Sequence, residues 1–477
     1  MLVLRILTEA TAPEGYLMRV MQPYDGELVA EIPVDTAADV ESKLQSAVDI
    51  FSSRANWLPA YRRIEILKRL ARLVEEDRDV FALLIAREGG KPLADARVEV
   101  TRAINGIEGA AAHIEHLAGS EIPMGLTPAS SNRWAFTTKE PIGPVVAISA
   151  FNHPLNLIVH QVVPAIATGC PVLVKPAPVT PLTCLHFVSL VHMAGLPEPW
   201  CQAVILDDNA LAQTLATDPR VAFFSFIGSA KVGWYLRSQL APGTRFTLEH
   251  GGAAPVLIDR SADLDTVIEP LVKGGYYHAG QVCVSVQRIF VHKDIKGDFV
   301  DRLADRVRKL RLGDPTSGDT EVGPLIAPRE VDRVEAWVAA AIVKGATLTT
   351  GGERLGDRSY QPTVLVDPCS SSLVSTHEIF GPVTCVYGYA NLDDAIARAN
   401  SLPYAFQASI FSRAIDPALR AARLLDASAV MINDHSAFRT DWMPFAGRRQ
   451  SGYGIGGIPY TMHDMMQDKM IVLRHSA

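Results

Sequence analysis

The chain has 477 residues, of which 48% are hydrophobic and 20% are charged, and its formal net charge is -7. This composition is typical of an ordinary globular protein, and the length favours about two to four domains. Lysine and arginine are scattered along the chain, which argues against nucleic acid or an anionic membrane as a partner. No stretch approaches the roughly 18 uninterrupted apolar residues of a membrane span.

The cysteines are widely separated, with no CxxC pair and no matching histidine spacing. This pattern predicts no metal site and favours a reducing compartment. The N-terminal stretch MLVLRIL is apolar but short and contains Arg5, so it predicts a strand rather than a signal peptide. We therefore expect a cytoplasmic protein without membrane attachment. The cysteines are Cys170, Cys184, Cys201, Cys283, Cys369 and Cys385.

Three helices are predicted before any strong strand signal. Apolar residues recur at helical spacing from Thr36 to Phe51, with Asp35 as a candidate N-cap, and again from Ala60 to Arg87. An alanine-rich helix follows from Leu93 to Leu117. Residues 119 to 139 are rich in Ser, Thr, Pro and Gly, which predicts an exposed arm or hairpin.

From Pro144 onward, short apolar runs alternate with helical stretches. Such alternation predicts a parallel sheet covered by helices on both faces, in which ligands bind beyond the carboxyl ends of the strands. The residues at those ends are Asn152, Lys175, Gly228 and Ser229. The predicted strands are VVAISA, PVLVK, QAVIL and VAFFSFIGS, and the predicted helices are Leu155 to Thr168, Leu182 to Ala194, Ala210 to Ala216 and Ala230 to Leu240.

A second α/β region is predicted from Pro255 to Val430, and the chain ends in a short apolar strand within QDKMIVLRHSA. No later segment covers that strand, so we expect it to pair with another chain or with the arm. The predicted helices are Leu264 to Tyr277, Gly297 to Leu310, Arg329 to Lys344, Asp393 to Asn400 and Pro417 to Leu425. The predicted strands are Ser285 to Val291, Thr363 to Val366, Val383 to Tyr387, Ala408 to Phe411 and Ser428 to Ile432.

Cys283 is the candidate nucleophile. It lies in YYHAGQVCVSVQRIFV, where a helix end, a Gly-Gln turn and a strand follow one another, so its sulfur can face a cleft. The alternative is an inert cysteine packed in a core, which is the usual fate of a free cysteine.

A thiolate attacking a carbonyl needs a base and a donor for the developing oxyanion. Glu249 in TLEHGG is the candidate base, and the alternative is a solvated or salt-bridged carboxylate. Asn152 in FNHP is the candidate oxyanion donor, and the alternative is a helix N-cap. Gly228 and Ser229 follow a strand and open a helix, as a phosphate-binding turn does.

These motifs, in this order and along essentially the whole chain, resemble the NAD(P)-dependent aldehyde dehydrogenase superfamily. The resemblance implies an α/β fold with a Rossmann-type cofactor domain, an α/β catalytic domain and a small oligomerisation arm. By that resemblance the cofactor domain comprises 1–118 and 139–248, the catalytic domain 249–445, and the oligomerisation element 119–138 and 459–477. The matching stretches are FNHPLN, VLVKPAP, FIGSAKVG, LEHGGAAPVLI, GQVCVSVQR, EIFGPV and PFAGRRQSG.

The resemblance also implies the chemistry. Cys283 attacks the aldehyde to form a thiohemiacetal, whose oxyanion Asn152 and the backbone N–H of Cys283 stabilise. Hydride then passes to the nicotinamide, and Glu249 activates the water that hydrolyses the thioester. The cofactor-binding residues by resemblance are Lys175 on the adenosine ribose, Gly228 and Ser229 at the pyrophosphate, and Glu378 and Phe380 at the nicotinamide ribose. Phe151 is a further cofactor-binding residue.

The sequence departs from the family pattern at several positions. His250 follows the presumed base where leucine is usual, and it either tunes Glu249 or packs against its neighbours. Ala253 replaces a lysine or serine, and Ala446 replaces a glycine. Pro178 stands where NAD-preferring members often carry a glutamate, so the cofactor is expected to be NAD or NADP.

Arg102, His153 and Arg439 are expected near the substrate pocket, where they could bind an anionic tail. The alternative is that each arginine forms a structural ion pair. The C-terminal stretch SGYGIGGIPYTMHDMMQDKM resembles the branch that contains phosphonoacetaldehyde dehydrogenases and related small-aldehyde enzymes. Val282 is apolar where another cation would strengthen that assignment.

Other functions remain open at this stage. A lactaldehyde or succinic-semialdehyde dehydrogenase would use the same residues on another small aldehyde. A CoA-acylating dehydrogenase would transfer the acyl group to CoA, although Glu249 argues against it. A cysteine hydrolase would need no nicotinamide cofactor, and an inactive binding or structural homologue would not need Cys283, Glu249 and Asn152 together. By resemblance we expect a homodimer or homotetramer.

Overall fold

The computed structural model describes residues 16–476, and it begins with a β-hairpin of β1 (Leu17–Met21) and β2 (Leu28–Pro33). The strand predicted in MLVLRIL lies outside the described residues. Met18 and Ile32 of the hairpin are buried against Leu84, which holds the hairpin on the helices that follow. We did not predict this hairpin, although Asp25 and Gly26 between its two short runs form a typical hairpin turn signal, and Gly26 has a left-handed φ of 77°.

Four helices follow, and they correct the prediction in two places. Thr36, not Asp35, is the first N-cap: its side chain accepts from the backbone N–H of Asp39, while the Asp35 carboxylate accepts from the backbone N–H of Ile205. The predicted helix from Ala60 to Arg87 is broken at Asp77, whose carboxylate bonds His186 instead. Aspartate is a poor helix former because its side chain bonds elsewhere. The helices are α1 (Ala37–Ser52), α2 (Ala60–Glu76), α3 (Arg78–Gly89) and α4 (Leu93–His113).

A six-stranded sheet forms the first α/β unit, in the order β21-β9-β8-β5-β6-β7. All its pairings are parallel except that between β21 and β9. The strands are β5 (Val145–Ile148), β6 (Val172–Lys175), β7 (Cys201–Ala203), β8 (Phe223–Ile227), β9 (Arg245–Glu249) and β21 (Gly452–Tyr453). Its helices are α5 (Asn156–Thr168), α6 (Leu182–Met193), α7 (Asn209–Thr217) and α8 (Ala230–Gln239).

Alternate residues of these strands enter two different cores. Val145 and Val172 pack with α2 to α6, whereas Val146 and Leu173 pack with α1, α7 and α8. Because side chains alternate across a strand, a run of apolar residues supplies both faces at once. The prediction of a parallel sheet covered on both sides is therefore confirmed.

A seven-stranded sheet forms the second α/β unit, in the order β12-β15-β16-β11-β10-β18-β19. Only the pairing of β12 with β15 is antiparallel. The strands are β10 (Ala254–Ile258), β11 (Val286–His292), β12 (Thr347–Thr350), β15 (Thr363–Val366), β16 (Val383–Tyr389), β18 (Gln407–Phe411) and β19 (Ala429–Ile432). Its helices are α9 (Leu264–Tyr276), α10 (Lys296–Arg308), α11 (Pro328–Val343), α12 (Leu373–Thr376), α13 (Leu392–Ala399) and α14 (Ile415–Leu424).

The C-terminal strand pairs with the predicted arm. β22 (Met466–Arg474) is antiparallel to β4 (Arg133–Pro141), which in turn pairs with β3 (Glu121–Ile122). Helix α15 (Ile458–Asp464) leads into β22 and packs on α5. Two further small pairs complete the described elements, namely β13 (Arg354–Leu355) with β14 (Ser359–Tyr360) and β17 (Tyr404–Ala405) with β20 (Arg448–Arg449). None of the helices within residues 16–476 combines the length and apolar character needed to cross a bilayer.

Candidate active site

The carboxyl ends of β5, β6, β8 and β9 open into one cavity of about 700 Å³, and the turn before β11 borders the same cavity. This is the crevice that the parallel topology predicts. The cavity brings together every residue proposed from the sequence as a site residue. They are Arg102, Phe151, Asn152, His153, Lys175, Gly228, Ser229, Glu249, Cys283, Glu378, Phe380 and Arg439.

The turn that carries Cys283 has a strained backbone. Three consecutive residues, His278, Ala279 and Gly280, have left-handed φ angles of 49°, 54° and 70°. A Cβ at Gly280 would collide with the carbonyl oxygen of Gly381, so only glycine fits there. Gln281 holds the turn in place: its Oε1 accepts from the backbone N–H of Ile326 at 2.9 Å, and its Nε2 donates to the carbonyl of His278 at 3.1 Å.

Asn152 contacts this turn and does not cap a helix. Its side-chain Nδ2 donates to the carbonyl oxygen of Gln281 at 3.0 Å, and the residue is buried. The N-terminus of α5 is capped instead by Glu99, whose Oε1 accepts from the backbone N–H groups of Leu155 and Asn156. The N-cap alternative for Asn152 is therefore wrong, and its amide lies beside the cysteine turn.

Burial controls the charges of Cys283 and Glu249. Removal from water raises the pKa of the Cys283 thiol to about 12, and the positive charge of Arg439 opposes that rise. Burial also raises the pKa of Glu249, and Arg439 again opposes it. Within the described residues Glu249 is half-buried and makes no salt bridge, so the alternative of a salt-bridged carboxylate does not hold. The resting site contains a neutral thiol, which must lose its proton to attack.

The other end of the cavity offers groups for a nucleotide. Burial lowers the pKa of Lys175 to about 8, and in the described part of the chain its ammonium group donates one hydrogen bond, to the carbonyl of Pro176. Ser229 begins α8 without a side-chain cap bond, so the first N–H groups of that helix are available to a phosphate. The Oε1 atom of Glu378 is buried and has no hydrogen-bond partner among the described residues, and removal from water raises the pKa of this carboxyl to about 8.

These residues fit a dinucleotide. Unpartnered buried polar atoms are costly, and a ribose hydroxyl would satisfy Glu378. The rings of Phe151 and Phe380 meet edge to face at 5.9 Å beside it, and Phe380 has a left-handed φ of 46°. Lys175, the start of α8 and Glu378 with the two phenylalanines thus provide a cation, a phosphate-binding helix start and a ribose site in one cavity.

His250 packs and does not act on Glu249. Its Nδ1 donates to the carbonyl of Gly228 at 2.9 Å, and its ring packs against Phe226 and Trp234 at centroid distances of 5.8 and 5.9 Å. Burial lowers the pKa of this imidazole, which keeps it neutral. His250 therefore ties the end of β9 to the Gly228 turn.

The three residues expected at the substrate end differ in their pairing. Arg102 binds Asp441 through Nη2 at 2.7 Å and Nε at 3.3 Å, as the ion-pair alternative predicted. Burial holds the pKa of His153 well below its usual value, so this imidazole is neutral. Arg439 is half-buried and makes no salt bridge with the described residues, and its guanidinium carbon lies 3.5 Å from the centre of the Phe445 ring. Arg439 is therefore the cation available to a ligand.

Several residues of the site were not predicted. Arg329, Arg333 and Trp337 of α11 line the nucleotide end of the cavity, and Tyr277 lines the substrate end. His160 and Asp441 lie behind Arg439, where His160 Nδ1 is 3.2 Å from Arg439 Nη2. The signal for His160 was present in LIVHQVV, since a histidine within an apolar run must find a polar partner. Within residues 16–476 no group of His, Cys, Asp or Glu side chains could hold a metal ion.

Comparison with known proteins assigns the chain to one family. The model of the aldehyde dehydrogenase family matches residues 10–471 of the chain. The chain is 36% identical over 456 residues to 3-sulfolactaldehyde dehydrogenase of Priestia aryabhattai, covering 96% of this chain and 94% of that protein. It is 34% identical over 461 residues to lactaldehyde dehydrogenase of Methanocaldococcus jannaschii, covering 96% and 97%.

Solved structures agree with this result. Aldehyde dehydrogenase 21 of Physcomitrella patens, in complex with its product succinate, superposes with a TM-score of 0.93 at 33% identity, covering 97% of this chain and 96% of that chain. The glyceraldehyde-3-phosphate dehydrogenase GapN of Methanocaldococcus jannaschii, complexed with NADP, superposes with a TM-score of 0.91 at 33% identity, covering 96% and 99%. A Staphylococcus aureus betaine aldehyde dehydrogenase variant in complex with NAD+ superposes with a TM-score of 0.91 at 29% identity, covering 96% and 94%. The α/β fold expected from the resemblance is confirmed.

Proposed function

The chain belongs to the aldehyde dehydrogenase family, and from that premise we propose that its substrate is a small aldehyde whose tail carries a negative charge. The protein is an NAD(P)-dependent aldehyde dehydrogenase. One observation carries the proposal about the tail: Arg439 is a half-buried cation that forms no salt bridge with the described residues, in the same cavity as Cys283. An unpaired charge that is partly removed from water loses solvation, and an anionic ligand would compensate it.

The names of relatives support an anionic tail. One relative is a 3-sulfolactaldehyde dehydrogenase, and one structural neighbour was solved with succinate. A guanidinium suits sulfonate, phosphonate and carboxylate alike, because each offers two oxygens to its planar donors. Phosphonoacetaldehyde, a sulfonated aldehyde and succinic semialdehyde are therefore the substrates to compare, with lactaldehyde as the neutral hydroxyaldehyde.

We assign the steps at the protein as follows. Cys283 Sγ gives its proton to water and bonds the aldehyde carbon, whose oxygen takes the electron pair of the broken π bond, which gives the oxyanion of a thiohemiacetal. The Asn152 amide and the backbone N–H of Cys283 stabilise the oxyanion. After oxidation to the thioester, Glu249 takes a proton from water, which then attacks the carbonyl carbon and releases the acid with the Cys283 thiolate as leaving group.

The cofactor is NAD or NADP. We assign Lys175, Ser229 and the Gly228 turn to its adenosine and phosphate groups, and Glu378, Phe151 and Phe380 to its nicotinamide end. When bound, the cofactor supplies the two-electron acceptor. Pro178 lines the cavity beside Lys175 and carries no negative charge, so the 2'-phosphate of NADP would meet no repulsion from this residue.

The rival in which CoA takes the acyl group is disfavoured by Glu249. This half-buried carboxyl group lies at the end of β9 in the cavity that holds Cys283, where it can accept a proton from a water molecule. Product analysis with and without CoA separates the two: free acid formed at an unchanged rate without CoA supports hydrolysis, and a strict requirement for CoA contradicts it.

We also propose that the sheet of β3, β4 and β22 mediates homo-oligomerisation, as a dimer or tetramer, and that the protein acts in the cytoplasm. Several apolar side chains of this sheet are exposed, namely Trp134, Phe136, Met470, Val472 and Leu473. Exposed apolar groups of this number on one small sheet are a common sign of a protein contact.

The test of the anionic substrate compares wild type with Arg439→Ala. We expect kcat/KM for phosphonoacetaldehyde, a sulfonated aldehyde and succinic semialdehyde to exceed that for lactaldehyde and propanal by about tenfold or more, worth about 1.4 kcal/mol. Arg439→Ala should remove most of this margin. Each aldehyde is measured with NAD and with NADP.

Arg420→Ala is the matched control, because Arg420 is exposed on α14 and paired with Asp393. It should leave the substrate ranking unchanged. Equal kcat/KM for neutral and anionic aldehydes in wild type, or an unchanged ranking in Arg439→Ala, would contradict the proposal.

A further inference from the structure

We propose that His160 is a positioning residue that holds Arg439 in the substrate cavity as an uncompensated cation and thereby gives the enzyme its preference for anionic aldehydes. This inference rests on the proposed function. His160 lies on the buried helix α5. Its side chain bonds Asp441 and Arg439, and it does not bond Cys283.

The hydrogen bonds of His160 determine which of its nitrogens carries the proton. Arg439 Nη2 lies 3.2 Å from His160 Nδ1, and His160 Nε2 lies 2.8 Å from Asp441 Oδ1. A guanidinium can only donate, so Nδ1 must accept with its lone pair. The proton is therefore on Nε2, which donates to the Asp441 carboxylate. His160 is a neutral ring with one acceptor for Arg439 and one donor for Asp441.

The negative charge of Asp441 is paired with Arg102. Arg102 binds both of its oxygens, and Asn156 Nδ2 donates to Oδ1 at 3.0 Å. Although burial acts to raise it, hydrogen bonds from His160 and Arg102 hold the pKa of Asp441 well below its usual range. Asp441 thus pairs with Arg102, and the neutral His160 stands between Asp441 and Arg439.

This arrangement orients Arg439 without cancelling its charge. A carboxylate at position 160 would form a salt bridge and leave no positive charge for a ligand. The imidazole provides an oriented acceptor, and the face of Phe445 at 3.5 Å provides a second favourable contact for the cation. Arg439 Nε is buried without a hydrogen-bond partner among the described residues, so one donor of the guanidinium is still unused.

Several charged or titratable groups surround His160 and Arg439. Glu249 and Cys283 face Arg439 from β9 and from the cysteine turn, and Arg102 acts on His160 from α4. Burial, followed by Arg439 and Arg102, lowers the pKa of His160 to about 4, although the Asp441 hydrogen bond opposes this shift. The ring therefore stays neutral over the working pH range of most enzymes.

Two substitutions separate the two hydrogen bonds of His160. In His160→Asn the side-chain oxygen can take the place of Nδ1 and still accept from Arg439. In His160→Gln the side-chain amide can take the place of Nε2 and still donate to Asp441, but the acceptor for Arg439 is lost. Both variants are neutral and polar.

The readout is the ratio of kcat/KM for an anionic aldehyde to that for propanal. We expect His160→Gln to lower this ratio by about tenfold, mainly through KM, because a hydrogen bond to a charged group is lost. His160→Asn should keep the ratio within about threefold of wild type. Inhibition by phosphonoacetate, which carries the anion but no aldehyde, should weaken in parallel in His160→Gln.

Unequal losses are what distinguish positioning from a structural role. A variant that merely loosens the fold lowers activity on propanal and on the anionic aldehyde alike, and an unchanged ratio in His160→Gln would overturn the inference. Equal loss of the ratio in both variants would also overturn it, since the acceptor would then not be the cause. If wild type shows no preference for anionic aldehydes, the proposed function fails first. If Arg439→Ala removes the preference but His160→Gln does not, only the role of His160 fails.

One measurement on the wild-type protein does not depend on variant folding. The inference requires the tautomer of His160 with its proton on Nε2, which histidine-selective 15N NMR distinguishes from the other tautomer. A proton on Nδ1 would contradict the inference whatever the variants do.

Discussion

At the scale of single residues, one half-buried arginine influences both reacting groups. The guanidinium of Arg439 acts against burial at Cys283 and at Glu249, favouring the ionised form of each. A cation that also binds the tail of a substrate would couple recognition to the ionisation of the nucleophile. The resting thiol nevertheless stays neutral, because burial raises its pKa to about 12.

The neutral resting thiol of Cys283 predicts how the rate of its alkylation depends on pH. With iodoacetamide, the rate at Cys283 should rise about tenfold per pH unit from pH 7 to pH 9, since the thiolate fraction grows without reaching a plateau. Arg439→Ala removes the cation that lowers the pKa, so the pKa rises and the rate at any given pH falls. The readout is the labelled Cys283 peptide followed by mass spectrometry.

All proteins in this experiment carry the substitution Cys369→Ser. Cys369 is exposed and a hydrogen bond from Ser371 lowers its pKa, so it would otherwise react first. Arg420→Ala again serves as the control. A plateau in the rate between pH 7 and pH 9 would mean that the thiol titrates there and that burial is not decisive.

At the scale of elements, buried carboxylates hold the helices that follow the strands of the six-stranded sheet. Glu99 accepts from the first N–H groups of α5, and Glu88 accepts from those of α6 at 2.8 Å each. A negative group at a helix N-terminus is favoured by the unpaired N–H groups and the helix dipole. Glu99 also forms a fully buried salt bridge with Lys91. These contacts position the turn that carries Asn152.

Glu99→Gln should therefore lower the free energy of unfolding by about 3–5 kcal/mol, since it leaves Lys91 buried without its partner. The double variant Glu99→Gln with Lys91→Met should recover part of this loss, because it removes the unpaired charge as well. Denaturant unfolding measures the free energy of unfolding of the two variants. If the Asn152 turn has moved, kcat should be lower than in wild type in the single variant and in the double variant.

Glu75→Gln is the matched control. Glu75 pairs with Arg78 on the surface, where its side chain is 51% exposed, and its loss should cost less than about 1 kcal/mol. A loss equally small for Glu99→Gln would show that the buried pair does not hold α5.

At the scale of the whole molecule, two parallel sheets meet at one cavity and a third sheet extends from them. The six-stranded sheet contributes the proposed base and nucleotide groups, and the seven-stranded sheet contributes Cys283 through the turn before β11. The arm sheet pairs Arg133 with Arg474 and Pro141 with Met466, which joins distant parts of the chain. Its exposed apolar side chains are the basis for the proposed oligomer.

The double variant Met470→Lys with Val472→Lys should shift the protein toward smaller assemblies. Met470 and Val472 are 56% and 44% exposed on β22, and charges there would disfavour an apolar contact. Light scattering coupled to size-exclusion chromatography measures the mass. Leu419→Lys on α14 is the control, because Leu419 is 49% exposed elsewhere. A wild-type monomer, or an unchanged mass in the double variant, would contradict the proposal.

The local features of this protein are determined by its sequence. Apolar runs such as Val145–Ile148 supply both faces of a sheet, so their composition alone predicts a covered parallel sheet. Helices such as Leu264–Tyr276 end within about a residue of their predicted limits, because period and capping act over a few residues. The motifs around Cys283, Glu249 and Asn152 are also only a few residues long, so the sequence alone indicates the nucleophile, the base and the oxyanion donor.

Tertiary structure decides what depends on residues distant in sequence. Arg102 and Arg439 are the same type of residue, yet Arg102 pairs with Asp441. Among the described residues, the side chain of Arg439 has a hydrogen bond to the neutral His160 alone. Asn152 meets the carbonyl of Gln281, and Glu99 replaces it as the cap of α5. Whether a charged side chain is paired, neutral or available to a ligand depends on partners and burial, which only the folded chain brings together.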